Sequence, residues 1–186
     1  MTFPLEKRPS ASYHEQPRAF GSPRGSKPGS IGTDRKHAAC DLYAPKGTPI
    51  LAVADGTVTL LSKEFYRPTE TGPYVGELEA WHPGLGKVRY GEIDGPAPGI
   101  AVHTKIQAGQ VIAYVGQVEG MTNAMLHLEM YAGTADGPLT DTSKPPFCRR
   151  SDLLDPTALL DAAILHQPPQ PEAAKPPLPP AATAGT

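Results

Sequence analysis

The sequence predicts a mainly β fold: a small antiparallel β-sheet domain with a groove, a short C-terminal helix and a disordered Pro-rich tail. Three observations carry this expectation. Between residues 32 and 135 no stretch shows the 3.6-residue apolar period of a helix. The apolar segments there are short, rich in β-branched residues and separated by turn signals. With 23 Pro and 19 Gly among 186 residues, the chain is turn-rich, which suits short strands better than long helices.

The length suggests one domain with room for tails. Residues 1–31 read as a basic N-terminal arm, 32–165 as the folded domain with a C-terminal extension, and 166–186 as a Pro/Ala-rich tail without a hydrophobic pattern. The arm is polar and broken by Pro and Gly. Its basic residues, Arg18, Arg24 and Lys27, continue into Arg35 and Lys36. They read either as a solvated arm or as a lining of the groove mouth that attracts an acidic polymer. Lys7-Arg8 is not followed by an apolar segment, so no secretory signal peptide is expected. No run of about 18 apolar residues marks a transmembrane helix. The formal charge of −2 gives no global electrostatic argument for nucleic acid or an anionic membrane as partner.

In chain order, Thr48 to Val53 and Gly56 to Leu61 are β-branched and apolar, and the Asp55-Gly56 step between them predicts a hairpin. Leu60 to Thr71 follows as a polar connection. Tyr74 to Trp81 and Lys87 to Ile93 read as partner strands across Pro83-Gly84-Leu85-Gly86. A four-residue loop there sets His82 against Lys87, Glu79 against Tyr90 and Glu77 against Glu92. Val111 to Val115 and Ala124 to Tyr131 are two further strands. Ser151 or Asp152 offers a cap for a short helix over Ala158 to Leu165.

Two distant stretches carry chemistry. One is Arg35-Lys36-His37-Ala38-Ala39-Cys40-Asp41, the other Met125-Leu126-His127-Leu128-Glu129-Met130. His37 and Asp41, four residues apart, and His127 on an alternating run form a candidate three-ligand zinc site. Two imidazoles and a carboxylate leave tetrahedral Zn²⁺ a fourth position for water. The period of two places Met125, His127 and Glu129 on one strand face. Met125 would then sit beside the metal, where a thioether carries no proton. Glu129 reads as an acceptor orienting an imidazole or as a solvated strand-end acid.

His37 to Asp41, followed by Ala44-Pro45 through Ala54-Asp55-Gly56, then Tyr90-Gly91-Glu92-Ile93, Gly109-Gln110-Val111-Ile112 with Val115-Gly116, and Leu126-His127-Leu128-Glu129, resembles the M23 (lysostaphin/LytM-type) zinc metallopeptidase family over about residues 32–135. The resemblance implies His37, Asp41 and His127 as zinc ligands. It also implies that the family's two non-ligand histidines fall on Glu92 and Met125. The Arg149-Arg150-Ser151-Asp152-Leu153-Leu154-Asp155-Pro156-Thr157 run resembles a subgroup that shares these two replacements.

Glu92 is then the candidate general base, with an exposed strand acid as the alternative. Tyr90 is a candidate donor to the oxyanion, and His82 and His103 are alternative sources of an imidazole. Cys40 and Cys148 are either one disulfide or two free thiols. The function implied is a zinc-dependent peptidoglycan hydrolase, cutting amide bonds of stem peptides or cross-bridges in the periplasm or wall. Without a signal peptide, delivery would fall to phage lysis or to a contractile, type VI-like secretion apparatus. In the second case the protein is an antibacterial effector, with an immunity protein or a component of the apparatus as partner. The alternative is a catalytically inactive, zinc-containing module that binds the wall or regulates other hydrolases.

Overall fold

The computed structural model describes residues 1–24, 34–133 and 137–166. Its strands are β1 (Cys40–Tyr43), β2 (Pro49–Leu51), β3 (Gly56–Tyr66), β4 (Val75–His82), β5 (Gly86–Pro96), β6 (Lys105–Ile106), β7 (Val111–Val115), β8 (Met125–Tyr131) and β9 (Leu153–Leu154), with one helix, α1 (Thr157–Ala162). The strands form one sheet in the order β1-β8-β5-β4-β3-β6, with β7 joining β5 to β2 and β9 on β8. Every strand pairing is antiparallel. The predicted β class therefore holds. The arm of 1–31 and the tail of 166–186 fall partly outside the described residues.

Alternation decides which face is core. Cys40, Leu42, Leu126, Leu128, Val88, Tyr90, Leu78 and Ala80 are fully buried on one face. The opposite face carries Asp41, His127, Glu129, Arg89, Glu77 and Glu79, polar side chains that are nonetheless buried. The stretch from Thr140 to Asp152 contributes to their cover, since Thr140 contacts Arg89 and Arg149 contacts Glu129.

Four local expectations are corrected. The Asp55-Gly56 step is not a hairpin: β2 pairs with β7, whereas β3 pairs with β4 and β6. Gly56 lies so close to the Trp81 carbonyl and the His82 ring that a Cβ has no room there. It serves close packing. Strand β3 continues to Tyr66, through residues read as a polar connection. The β4–β5 register is His82↔Gly86, Glu79↔Arg89 and Glu77↔Gly91, one residue from the expected one. The loop holds Pro83, Gly84 and Leu85 alone, with Leu85 N–H donating to His82 C=O at 3.0 Å, and a one-residue slip changes every facing pair. Finally, α1 begins after Asp155-Pro156. The Asp155 carboxylate accepts the Thr157 N–H at 2.8 Å, while Asp152 instead accepts Gly133 N–H and pairs with Arg150.

Within the described residues 1–24, the N-terminal stretch is not a solvated arm. Phe3, Leu5 and Tyr13 are buried in the core. Thr2 bridges Ile164 in parallel, Phe3 N–H donates to Ile164 C=O, and Arg8 donates to the carbonyls of Leu160 and Ala163. The two ends of the described chain are thereby laced together.

Tyr90 shows how the core satisfies its polar atoms. Its hydroxyl accepts Val53 N–H at 3.1 Å and donates to His82 Nε2 at 3.2 Å, while His82 Nδ1–H donates to Asp55 C=O at 3.1 Å. Removing the hydroxyl orphans a buried N–H. Tyr90→Phe should lower unfolding free energy in urea by about 1–3 kcal/mol; an unchanged midpoint would show the bridge to be idle.

Candidate metal centre

Register brings the donor atoms together. In the β1–β8 ladder Asp41 stands opposite His127, with Cys40↔Leu128 and Leu42↔Leu126 on either side. Directly opposed residues share a face, so Asp41 and His127 meet on the polar face while their neighbours enter the core. His37 reaches the same point from the segment leading into β1. Asp41 Oδ1 lies 3.0 Å from His37 Nε2 and 3.0 Å from His127 Nδ1, and the two nitrogens are 3.4 Å apart.

These spacings fit a metal. Bonds of 2.0–2.1 Å in a tetrahedral zinc site put neighbouring ligand atoms about 3.3 Å apart, close to the observed triangle. The remaining ring nitrogens are committed elsewhere. His37 Nδ1 lies 3.1 Å from the Ala19 carbonyl, and His127 Nε2 lies 2.9 Å from Glu129 Oε1. Each acceptor fixes the tautomer that turns the free nitrogen inward.

The N-terminal stretch builds part of this cradle. Gly21 N–H and His37 N–H exchange bonds with His37 C=O and Ser22 C=O, and Asp41 N–H donates to Arg18 C=O at 3.0 Å. Glu129 is the hub on the other side. It is fully buried and contacts Arg89 at 3.0 Å, Arg149 at 2.7 Å and the Tyr131 hydroxyl. Arg89 also meets Glu77 at 2.6 Å and Glu79 at 3.2 Å. Burial would raise the Glu129 pKa, but His127 and the two guanidinium groups hold it well below the carboxylate range.

Glu92 occupies a corner. Strand β5 pairs with β8 up to Gly91 and with β7 from Ile93. On the β4 side Glu77 faces Gly91 and Gly76 faces Ile93. Glu92 is therefore an unpaired bulge residue, with φ of 61°, a conformation disfavoured for a side chain of this kind. Its carbonyl accepts Gly116 N–H at 2.7 Å, and any Cβ on Gly116 would collide with that carbonyl. Burial raises its carboxyl to about 7, helped by Asp41 and opposed by His127 and Arg24. Among the described residues, the donor atoms lying within 4.8 Å of one another belong to His37, Asp41 and His127; Glu92 is not of that set.

The sequence of this site matches a known family. The model of peptidase family M23 covers residues 35–138. The chain belongs to that family. No curated protein matches it by sequence. Among solved structures it is similar to the catalytic domain of the antimicrobial peptidase lysostaphin from Staphylococcus simulans, at 19% identity and a TM-score of 0.52, covering 78% of this chain and 93% of that one. It is also similar to LytU, at 26% identity and a TM-score of 0.51, covering 76% and 83%.

Within this M23 domain the remaining expected residues divide. Met125 is buried beside the centre, opposite Tyr43 and on the face of His127. Tyr90 pairs with Leu128 and points into the core, so its hydroxyl is directed away from the metal donors. His82 is its buried partner, and burial lowers its pKa. His103 sits in a turn before β6, exposed, with φ of 72°. Cys40 and Cys148 are free thiols; Cys40 Sγ lies 3.5 Å from Thr157 Oγ1.

Phe65, which sequence reasoning missed, lies 5.6 Å from the His127 ring, with the Arg89 guanidinium 5.4 Å from its own ring centre. A Cβ on Gly91 would meet the Phe65 ring at 2.7 Å. A glycine inside a strand is the signal that could have found this contact.

Burial disfavours charge on His127, but hydrogen bonds to Asp41 and Glu129 outweigh it and push its imidazolium up to about 9. A metal must displace the Nδ1 proton. Apparent zinc affinity, measured by chelator competition between pH 6 and 8, should rise by about tenfold per unit. Glu129→Gln should weaken it by about 10–100-fold, and equal affinity in both proteins would remove Glu129 from the site.

Proposed function

We propose that this protein is a zinc-dependent peptidoglycan hydrolase that cuts amide bonds in the stem peptide or cross-bridge. The observation that carries the reading is the donor triangle of His37, Asp41 and His127 in an M23 peptidase domain, with Glu92 on a strained backbone bulge next to Gly91, which faces His127. The wall as substrate is supported by the fold shared with an antimicrobial peptidase.

The residues divide the work. His37 Nε2, Asp41 Oδ1 and His127 Nδ1 would hold the ion. When bound, zinc supplies Lewis-acid chemistry, polarising the scissile carbonyl and acidifying water. Glu92 takes a proton from the attacking water and returns it to the amine nitrogen as the C–N bond breaks. A carboxyl with a pKa near neutrality suits both transfers. Ala19 C=O and Glu129 keep the two imidazoles aimed. Phe65 and Met125 line the centre with apolar surface and bring no proton to it. Neither Tyr90 nor His82 takes part, because both are committed to the core.

Release of new amines from purified peptidoglycan tests the reading. The wild type should cleave, with a rate that falls as pH drops through the Glu92 pKa, at or below about 7 once a cation lies nearby. Glu92→Gln should lower the rate by about 10²–10⁴-fold at equal zinc content and lose that acidic limb. Zinc-loaded wild type that cuts no wall chemotype would defeat the hydrolase reading.

A further inference from the structure

Asp41 has two oxygens, and only one faces the imidazoles. Oδ1 is 3.0 Å from both His37 Nε2 and His127 Nδ1. Oδ2 lies 2.9 Å from a terminal nitrogen of Arg24. This is not a loose surface contact. The Arg24 side chain is 27% exposed, its backbone N–H donates to Arg35 C=O at 2.8 Å, and Pro23 bridges Lys36. The backbone bearing the guanidinium is thus pinned to the backbone that leads into His37. The guanidinium therefore stands among the groups of the centre.

A carboxylate can bind a metal through one oxygen or through both. Two-oxygen binding by Asp41 would occupy the position that a hydrolytic tetrahedral site leaves open. A charge-assisted hydrogen bond on Oδ2 ties up that oxygen, and a fixed cation repels a metal from that side. We propose that Arg24 is a positioning residue that holds Asp41 to one-oxygen binding and so keeps one coordination position open. The inference rests on the metal centre described above and not on the identity of the substrate.

The test loads the full chain with Co²⁺ and compares wild type, Arg24→Ala and Arg24→Lys. Four-coordinate Co²⁺ absorbs visible light far more strongly than five-coordinate Co²⁺. Arg24→Ala should retain the ion, lose visible absorption several-fold and lower kcat by about 10–100-fold with little change in KM. Arg24→Lys, a single cation reaching Oδ2, should restore part of both. A wild-type spectrum in Arg24→Ala, or a Lys variant no better than Ala, overturns the proposal. Should Arg24→Ala fail to fold by near-ultraviolet circular dichroism, Arg24→Met, which keeps the stem and loses every donor, takes its place under the same criteria. Absence of wall cleavage by the wild type would defeat the substrate reading alone, because the spectra decide the role of Arg24 without it.

Discussion

The pairing of Asp41 with His127 across β1 and β8 is the constraint on which the rest depends. One ladder step puts the carboxylate oxygen and the imidazole nitrogen 3.0 Å apart. The same step sends Cys40, Leu42, Leu126 and Leu128 into the core. A slip of β1 by one residue would turn Asp41 into the core and carry Cys40 and Leu42 out of it. Core packing and donor geometry therefore enforce the same register. The Asp41–His127 half of the site inherits its precision from the hydrophobic effect, while His37 is set by the segments around it.

Behind the ligands lies a second layer with a different logic. Glu129, Glu79 and Glu77 are matched against Arg89, Arg149 and Lys87 across β4, β5, β8 and the covering segment. Buried ion pairs of this kind add little net stability over apolar residues of like size, because desolvation offsets their attraction. What they supply here is orientation. Glu129 has its oxygens engaged by His127, Arg89, Arg149 and Tyr131, so the imidazole it accepts from cannot rotate without breaking several charged contacts.

The sequence made the ligands legible because their chemistry is written in residue type and spacing. His37 and Asp41 stand four apart, and His127 sits on an alternating run whose period of two assigns its face. The cradle was not legible for three physical reasons. Phe3, Leu5 and Tyr13 are scattered without a period, so nothing local announces that they are core. The partnership of Glu79 with Arg89 depends on whether the β4–β5 loop has three or four residues, which Pro-Gly content does not decide. The bulge at Glu92 depends on β5 changing partners from β8 to β7, a property of the whole sheet. Identity of the corner residue could be read; its strained backbone could not.

The lacing of Thr2 and Phe3 to Ile164, and of Arg8 to Leu160 and Ala163, also bears on how the chain is made. Synthesis proceeds from the N-terminus at about 5–20 residues per second, so roughly 10–30 s separate these contact partners on the ribosome. Phe3, Leu5 and Tyr13 emerge before α1 and wait for that part of their packing surface. Their close neighbours Lys7, Arg8 and Pro9 are the residue types that discourage intermolecular strand pairing. This apolar segment thus travels with its own protection until α1 and Ile164 are translated.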